Sequence, residues 1–219
     1  MAEFVGTFAL VFFGVGSIIL THATPNAGAG LVTVALAHGL ALAVAITALM
    51  HISGGQFNPA VSIGLIVAGK QKPARAVLFI VAQLLAAATA AGLWQRFLPG
   101  VANAEECKLG ATIGALTNAH NESAVFGIEA ILTFFLMTSV LAGTVDERAH
   151  KLGGFTIGLT LAASILAAGP LTGASLNPAR TFGPAVCGRH WDMWWVYWAA
   201  PIFGACVAAL IYRKFWQSR

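Results

Sequence analysis

Six apolar runs, at about Phe4 to Thr21, Leu31 to Met50, Ala74 to Trp94, Ala124 to Val145, Leu152 to Ala168 and Trp194 to Tyr212, take up most of this chain. A helix rises 1.5 Å per residue and a bilayer core is roughly 30 Å thick, so about 20 apolar residues cross it. The runs reach or nearly reach that length, the fifth being the shortest. An ordinary soluble domain has about a quarter of its residues charged. Here only 9% of 219 residues are charged and 58% are hydrophobic, with a mean hydropathy of +0.80. The expected fold class is therefore an all-α membrane protein. No cleavable leader is expected, because the first run opens at Phe4 with no basic stretch before it.

Two stretches interrupt this pattern in the same way. They are Ser53-Gly54-Gly55-Gln56-Phe57-Asn58-Pro59-Ala60 and Thr172-Gly173-Ala174-Ser175-Leu176-Asn177-Pro178-Ala179-Arg180. Asparagine caps helices well, and proline suits the first helical position, where its missing N–H has no partner to lose. Each stretch thus predicts a loop feeding a helix. From Pro59 to Gly69 such a helix is roughly 16 Å long, about half a bilayer core. Two half-helices, one in each half of the chain, point to a site at the membrane midplane.

The halves also match in sequence. Ala2-Glu3-Phe4-Val5-Gly6-Thr7-Phe8 resembles Ile128-Glu129-Ala130-Ile131-Leu132-Thr133-Phe134, and Gly54 falls opposite Gly173 when the Asn-Pro-Ala units are superposed. Three spans and one half-helix per half form a repeat. Because three is odd, the second half enters the membrane inverted, and its half-helix approaches from the opposite side. The predicted organisation is one channel-sized domain over 1–219, with repeats at about 1–98 and 124–219 joined by an outer connection at about 99–123.

Basic residues set the orientation. With the N-terminus inside, the inner segments hold Lys70, Lys72, Arg75, Arg148, Lys151, Arg213, Lys214 and Arg219, against Arg96, Lys108 and Arg189 outside. This imbalance predicts cytoplasmic N- and C-termini. It also accounts for the net charge of +4 and the pI near 9.3, so no nucleic-acid partner is expected.

Other signals are weaker. Cys107, Cys187 and Cys206 form no disulfide framework, and Cys187 with His190 is only half of a metal site, so no metal or cofactor is expected. Gly14-Val15-Gly16 lacks the third glycine and the strand of a nucleotide loop, and no nucleophile or acid pair points to an enzyme. Asn121-Glu122-Ser123 is a formal glycosylation sequon in the outer connection. Gly154 with Gly158, and Gly204 with Ala208, have the spacing of close helix packing.

Asn58 and Asn177 can each aim an amide N–H at the midplane while the surrounding turn holds their carbonyl oxygens. A water accepting from both cannot relay a proton along a file, and two inward helix N-termini add a positive potential against protons and cations. Arg180, one turn after Asn177, is an arginine within the hydrocarbon region and so a functional-site candidate by default. Glu3 and Glu129 are intramembrane carboxylates at matching repeat positions, compatible with a proton relay or with support of the loops. Gln83 reads as loop support or pore lining. His51, in the inner loop, reads as packing or as a pH sensor.

Over essentially its whole length, the sequence resembles aquaporins of the major intrinsic protein family. The resemblance rests on the paired Asn58-Pro59-Ala60 and Asn177-Pro178-Ala179 units, the Ala2-Glu3-Phe4 start, His51-Ile52-Ser53-Gly54 and Arg180. It implies six transmembrane helices plus two re-entrant half-helices, a homotetramer in the bilayer, and passive conduction of water and small neutral solutes. It also implies that Glu3 and Glu129 accept hydrogen bonds from the re-entrant loops.

By offset from the motifs, the resemblance further implies a selectivity filter of His38, Ile165, Ala174 and Arg180. Orthodox water channels usually carry phenylalanine and histidine at the first two positions. The set is similar instead to plant tonoplast-type channels and to the animal ammonia- and peroxide-permeable group, which implies ammonia and hydrogen peroxide besides water, with urea a further candidate. Glycerol is disfavoured, since Thr181 and Ala185 stand where glycerol facilitators usually have an aspartate, and Tyr197-Trp198 resembles the water-selective branch. Mercury block is not expected at Ala174. A proton-coupled transporter and a non-conducting junction protein are the rival readings. The host membrane, plasma or inner membrane or a vacuole-like one, is left open.

Overall fold

The computed structural model describes residues 1–24, 30–105, 107–146 and 152–217. Six long helices carry the apolar runs: α1 (Ala2–Ala23), α2 (Leu31–Ser53), α4 (Pro73–Phe97), α5 (Glu122–Val140), α6 (Gly153–Thr172) and α8 (Val196–Ile211). Two short helices, α3 (Pro59–Val67) and α7 (Pro178–Gly188), fall where the Asn-Pro units predict them. Wider turns extend α5 to Val145 and α8 to Trp216. Six of these helices are long and apolar enough to cross a membrane.

Among the described residues, α6 runs four residues beyond the predicted end at Ala168. It continues through Pro170 and closes when the Gly173 N–H reaches the Gly169 carbonyl at 2.8 Å. Gly173 (φ 86) and Gly54 (φ 96) both adopt the left-handed conformation that ends α6 and α2 and sends the chain back toward the midplane. Asn121 caps α5 by accepting from the Ala124 N–H at 3.2 Å.

The packing is reciprocal between halves. The pairs α1 with α4 and α5 with α8 hold each half together, while α3 rests on α8 and α7 on α4, so each half-helix is lodged in the opposite half. The central crossing is α2 on α6. There a Cβ on Gly39 would lie 2.6 Å from the Gly158 carbonyl, and one on Gly158 would lie 2.3 Å from that of Gly39. Only glycine permits this approach, and the spacing noted at Gly154 and Gly158 serves contact within the chain. Outward faces carry exposed Val44, Leu78, Phe135 and Phe203, the surface that lipid covers. The architecture is all-α, six spans and two re-entrant half-helices in an inverted repeat. Of the basic residues used for orientation, Arg148, Lys151 and Arg219 lie outside the described residues.

Candidate functional site

The loops before α3 and α7 leave backbone N–H groups inside the fold with no helical partner, and such groups need acceptors. Glu3 on α1 supplies them in the first half. Its Oε1 accepts from Ser53 Oγ (2.6 Å) and the Gln56 N–H (3.1 Å), and its Oε2 from the Phe57 N–H (2.8 Å) and Gln83 Nε2 (2.7 Å). Glu129 on α5 does the same in the second half. Its Oε1 accepts from Thr172 Oγ1 (2.7 Å) and the Ser175 N–H (3.0 Å), its Oε2 from the Leu176 N–H (2.9 Å). Ser53, Gln56 and Phe57 correspond in spacing to Thr172, Ser175 and Leu176. Phe57 (φ 50) and Leu176 (φ 54) share the same unusual backbone.

Those two carboxylates set the loops so that the asparagines meet. Asn58 Oδ1 accepts from the Ala60 N–H (2.9 Å), while Asn177 Oδ1 accepts from Ala179 (2.9 Å) and Arg180 (3.3 Å). Pro59 and Pro178 occupy the first helical turn. Each amide then donates across the repeat boundary, Asn58 Nδ2 to the Leu176 carbonyl (2.8 Å) and Asn177 Nδ2 to the Phe57 carbonyl (2.9 Å). A carboxamide has two N–H groups, so one remains on each asparagine.

His38, Ile165 and Arg180 share the wall of a cavity of about 610 Å³ on the side of the outer connection. Ala174 is buried (φ 41) and is not on that wall, where its neighbour Gly173 stands instead. Arg180 is 3% exposed and donates through Nη1 to the Gly110 carbonyl at 2.7 Å. Among the described residues it makes no ion pair. His38 Nδ1 lies 2.8 Å from the Val34 carbonyl. A carbonyl can only accept, so Nδ1 carries the proton and Nε2 of the neutral ring is an acceptor.

Below this cavity His38, Arg180, Asn177 and Asn58 also line a passage of about 20 Å³, roomy enough for a water at a time by the measure of about 10–15 Å³ per site. Gln56 links the passage to an inner cavity of about 500 Å³ that includes His51, Gln71 and Arg75. Acceptor, guanidinium and amide donors thus alternate with aliphatic walls from Leu42, Ile157 and Leu161. Such a lining replaces part of the hydrogen bonding of a small neutral molecule and, among the described residues, offers the passage no carboxylate for a cation.

Three residues support the site in roles that no sequence motif marks. Gly110 holds Arg180 from a turn in the outer connection. Gly14 makes room for the His38 ring, since a Cβ there would lie 2.3 Å from Nε2. Tyr197, fully buried, donates its hydroxyl to the Thr172 carbonyl and lies 2.8 Å from Thr117 Oγ1, bracing the second loop.

A narrow, donor-lined passage between two cavities, built at the meeting point of two half-helices in a six-span bundle, defines a membrane channel. The family model described as major intrinsic protein matches residues 1–212. The chain is 40% identical over 218 residues to the aquaporin TIP4-4 of Zea mays, covering 97% of this chain and 84% of that protein. It is 41% identical over 219 residues to the aquaporin TIP2-1 of Arabidopsis thaliana, with 97% and 84% covered. The X-ray structure of the aquaglyceroporin from Plasmodium falciparum superposes with a TM-score of 0.87 at 28% identity, covering 98% of this chain and 94% of that one. The chain belongs to the major intrinsic protein family and is a passive transmembrane channel for water and small solutes.

Proposed function

We propose that this channel conducts water together with ammonia and hydrogen peroxide, with urea a further candidate, disfavours glycerol, and excludes ions and protons. The observation that carries the reading is the shared wall of His38, Ile165 and Arg180 above the asparagine pair. Isoleucine on that wall leaves an apolar side, and His38 keeps an acceptor on the other, so the aperture suits small molecules that are both polar and neutral. Ala174 is the loop position of the filter, three residues before Asn177, beside Gly173 on the cavity wall. The residual N–H of Asn58 and of Asn177, with two inward helix N-termini, opposes protons.

Glu3 and Glu129 act as loop supports and not as a proton relay, because both carboxylates accept from loop donors, and Gln83 supports the first loop by donating to Glu3 and Ser62. The protein acts as a channel and not as an enzyme. It works as a homotetramer with one pore per subunit and with cytoplasmic termini. Its repeats cover about 1–98 and 124–219, the connection at about 99–123 forming the outer rim. The similarity to plant TIP aquaporins supports a vacuole-like membrane.

The test is parallel stopped-flow permeability to water, ammonia, hydrogen peroxide, urea and glycerol in proteoliposomes of the purified protein. Flux of the first four with little glycerol flux is expected. Glycerol flux equal to that of urea, or water flux without ammonia or peroxide, would reject the proposed range.

A further inference from the structure

Gln56 lines both the narrow passage and the inner cavity and is 5% exposed. Its Oε1 accepts from Ser62 Oγ (2.6 Å) and from Gln71 Nε2 (3.0 Å), and its Nε2 donates to Gln71 Oε1 (2.6 Å). A carboxamide has two lone pairs on oxygen and two N–H groups. The carbonyl is therefore fully used, and one N–H is left over.

The direction of this amide is imposed from a carboxylate. Glu3 Oε2 can only accept, so the group of Gln83 that lies 2.7 Å from it is the NH₂. The same NH₂ reaches Ser62 Oγ at 3.2 Å, which turns the Ser62 proton toward Gln56. The Gln56 atom receiving that proton is then its carbonyl oxygen, and the nitrogen faces the other way. Gln71, in the short turn between α3 and α4, completes a reciprocal amide pair that holds the arrangement. The matching residue of the second half is Ser175, whose hydroxyl is taken up by the Asn177 carbonyl (2.9 Å) and Thr181 Oγ1 (2.6 Å).

We propose that Gln56 is a third amide N–H donor of the pore, in series with Asn177 and Asn58, and that Gln71 is the positioning residue that keeps its carbonyl turned away from the permeating molecule. The series is lopsided, because the outer loop has no equivalent donor. A molecule passing from the asparagine pair to the inner cavity keeps meeting N–H groups, so its own oxygen stays turned toward the wall until it leaves. The proposal rests on the channel reading and concerns the inner end of the same pore.

The experiment compares Gln56→Met, Gln71→Met and the double variant of the full chain in proteoliposomes. Loss of one hydrogen bond of about 1 kcal/mol predicts a fall of about fivefold in unit water permeability for Gln56→Met. Gln71→Met falls similarly, and the double variant falls no further than either. Unchanged flux in Gln56→Met, or independent losses that multiply in the double variant, would overturn the proposal, while the wild-type flux in the same series tests the channel reading separately. A high-resolution crystal structure gives a second measurement that does not depend on flux. A pore water bonded to Gln56 Nε2 is expected, and a water bonded to Oε1 instead would overturn the assignment.

Discussion

The imidazole of His38 on α2 occupies the space where a side chain on Gly14 of α1 would begin. A Cβ at position 14 would lie 2.3 Å from Nε2 and 2.7 Å from Cε1. The ring is held from its other side by Val34. Three helical turns of α1 from the Glu3 anchor, a single hydrogen atom in place of a methyl group therefore sets where the His38 ring stands on the wall of the outer cavity.

Gly14→Ala forces the His38 ring to shift, which costs about 1–3 kcal/mol as overpacking. Water permeability is expected to fall several-fold and the ammonia-to-water ratio to change in the same direction as in His38→Ala. Removing the ring removes the clash, so Gly14→Ala with His38→Ala should unfold at the temperature of His38→Ala alone. Thermal unfolding in detergent and stopped-flow flux check both halves. An unshifted ratio in Gly14→Ala would show that the ring position is not read by the permeating molecule.

The two carboxylates predict an ordered pair of stability losses. Glu3 accepts from four groups and Glu129 from three. Replacing either by glutamine puts an NH₂ against donors and leaves buried N–H groups unpaired, at about 1.5–3 kcal/mol for each bond to a charged group lost. Glu3→Gln is expected to lower the unfolding temperature more than Glu129→Gln. The opposite order in differential scanning fluorimetry would contradict the bond counts.

Much of this molecule is legible in its sequence because a membrane leaves few choices. The long apolar runs become helices since backbone groups in lipid must pair within their own segment. Asn58-Pro59 and Asn177-Pro178 mark helix starts by local chemistry alone. Long-range contacts carry no such local mark. The bonds from Asn58 to Leu176 and from Asn177 to Phe57 join residues more than a hundred positions apart, and Arg180 is seated by Gly110 in a connection with no motif. Gly14 was hidden for another reason: a glycine in an apolar run carries no mark of which ring it faces. Gln56 was likewise hidden between two stronger signals, the glycine pair before it and Asn58 after it.

Cys107 stands in the outer connection, on the wall of the outer cavity and 4% exposed. Burial raises its thiol above the ordinary value. Since the thiolate is the nucleophile, a raised value means less reactive species near neutral pH. Alkylation of Cys107 by a small neutral maleimide at about pH 8 is expected to be slower than that of a free thiol and to speed up as pH rises. Mass spectrometry over a pH series, with Cys107→Ser as the blank, measures this. Because the adduct intrudes on the cavity, water flux should fall in step with labelling; full labelling with unchanged flux would place the thiol off the permeation path.

Arg180 brings a full charge into the passage wall with a carbonyl, and not a carboxylate, as its hydrogen-bond partner. Among the described residues its positive field is therefore not cancelled by a direct ion pair. For a cation roughly 5 Å away at an effective dielectric of about 20, the repulsion is about 3 kcal/mol, or about two orders of magnitude in crossing rate. Arg180→Leu removes that term and leaves Asn58, Asn177 and the two helix N-termini in place. Water flux should persist while proton and small-cation leak rises by about one to two orders of magnitude, the remaining donors accounting for what barrier is left. A pH-sensitive dye trapped in proteoliposomes under a proton gradient reads the leak directly. If Arg180→Leu leaves it at the wild-type level, the asparagine pair and the helix termini alone exclude cations, and the guanidinium serves only to bind the permeating molecule and to hold the outer connection through Gly110.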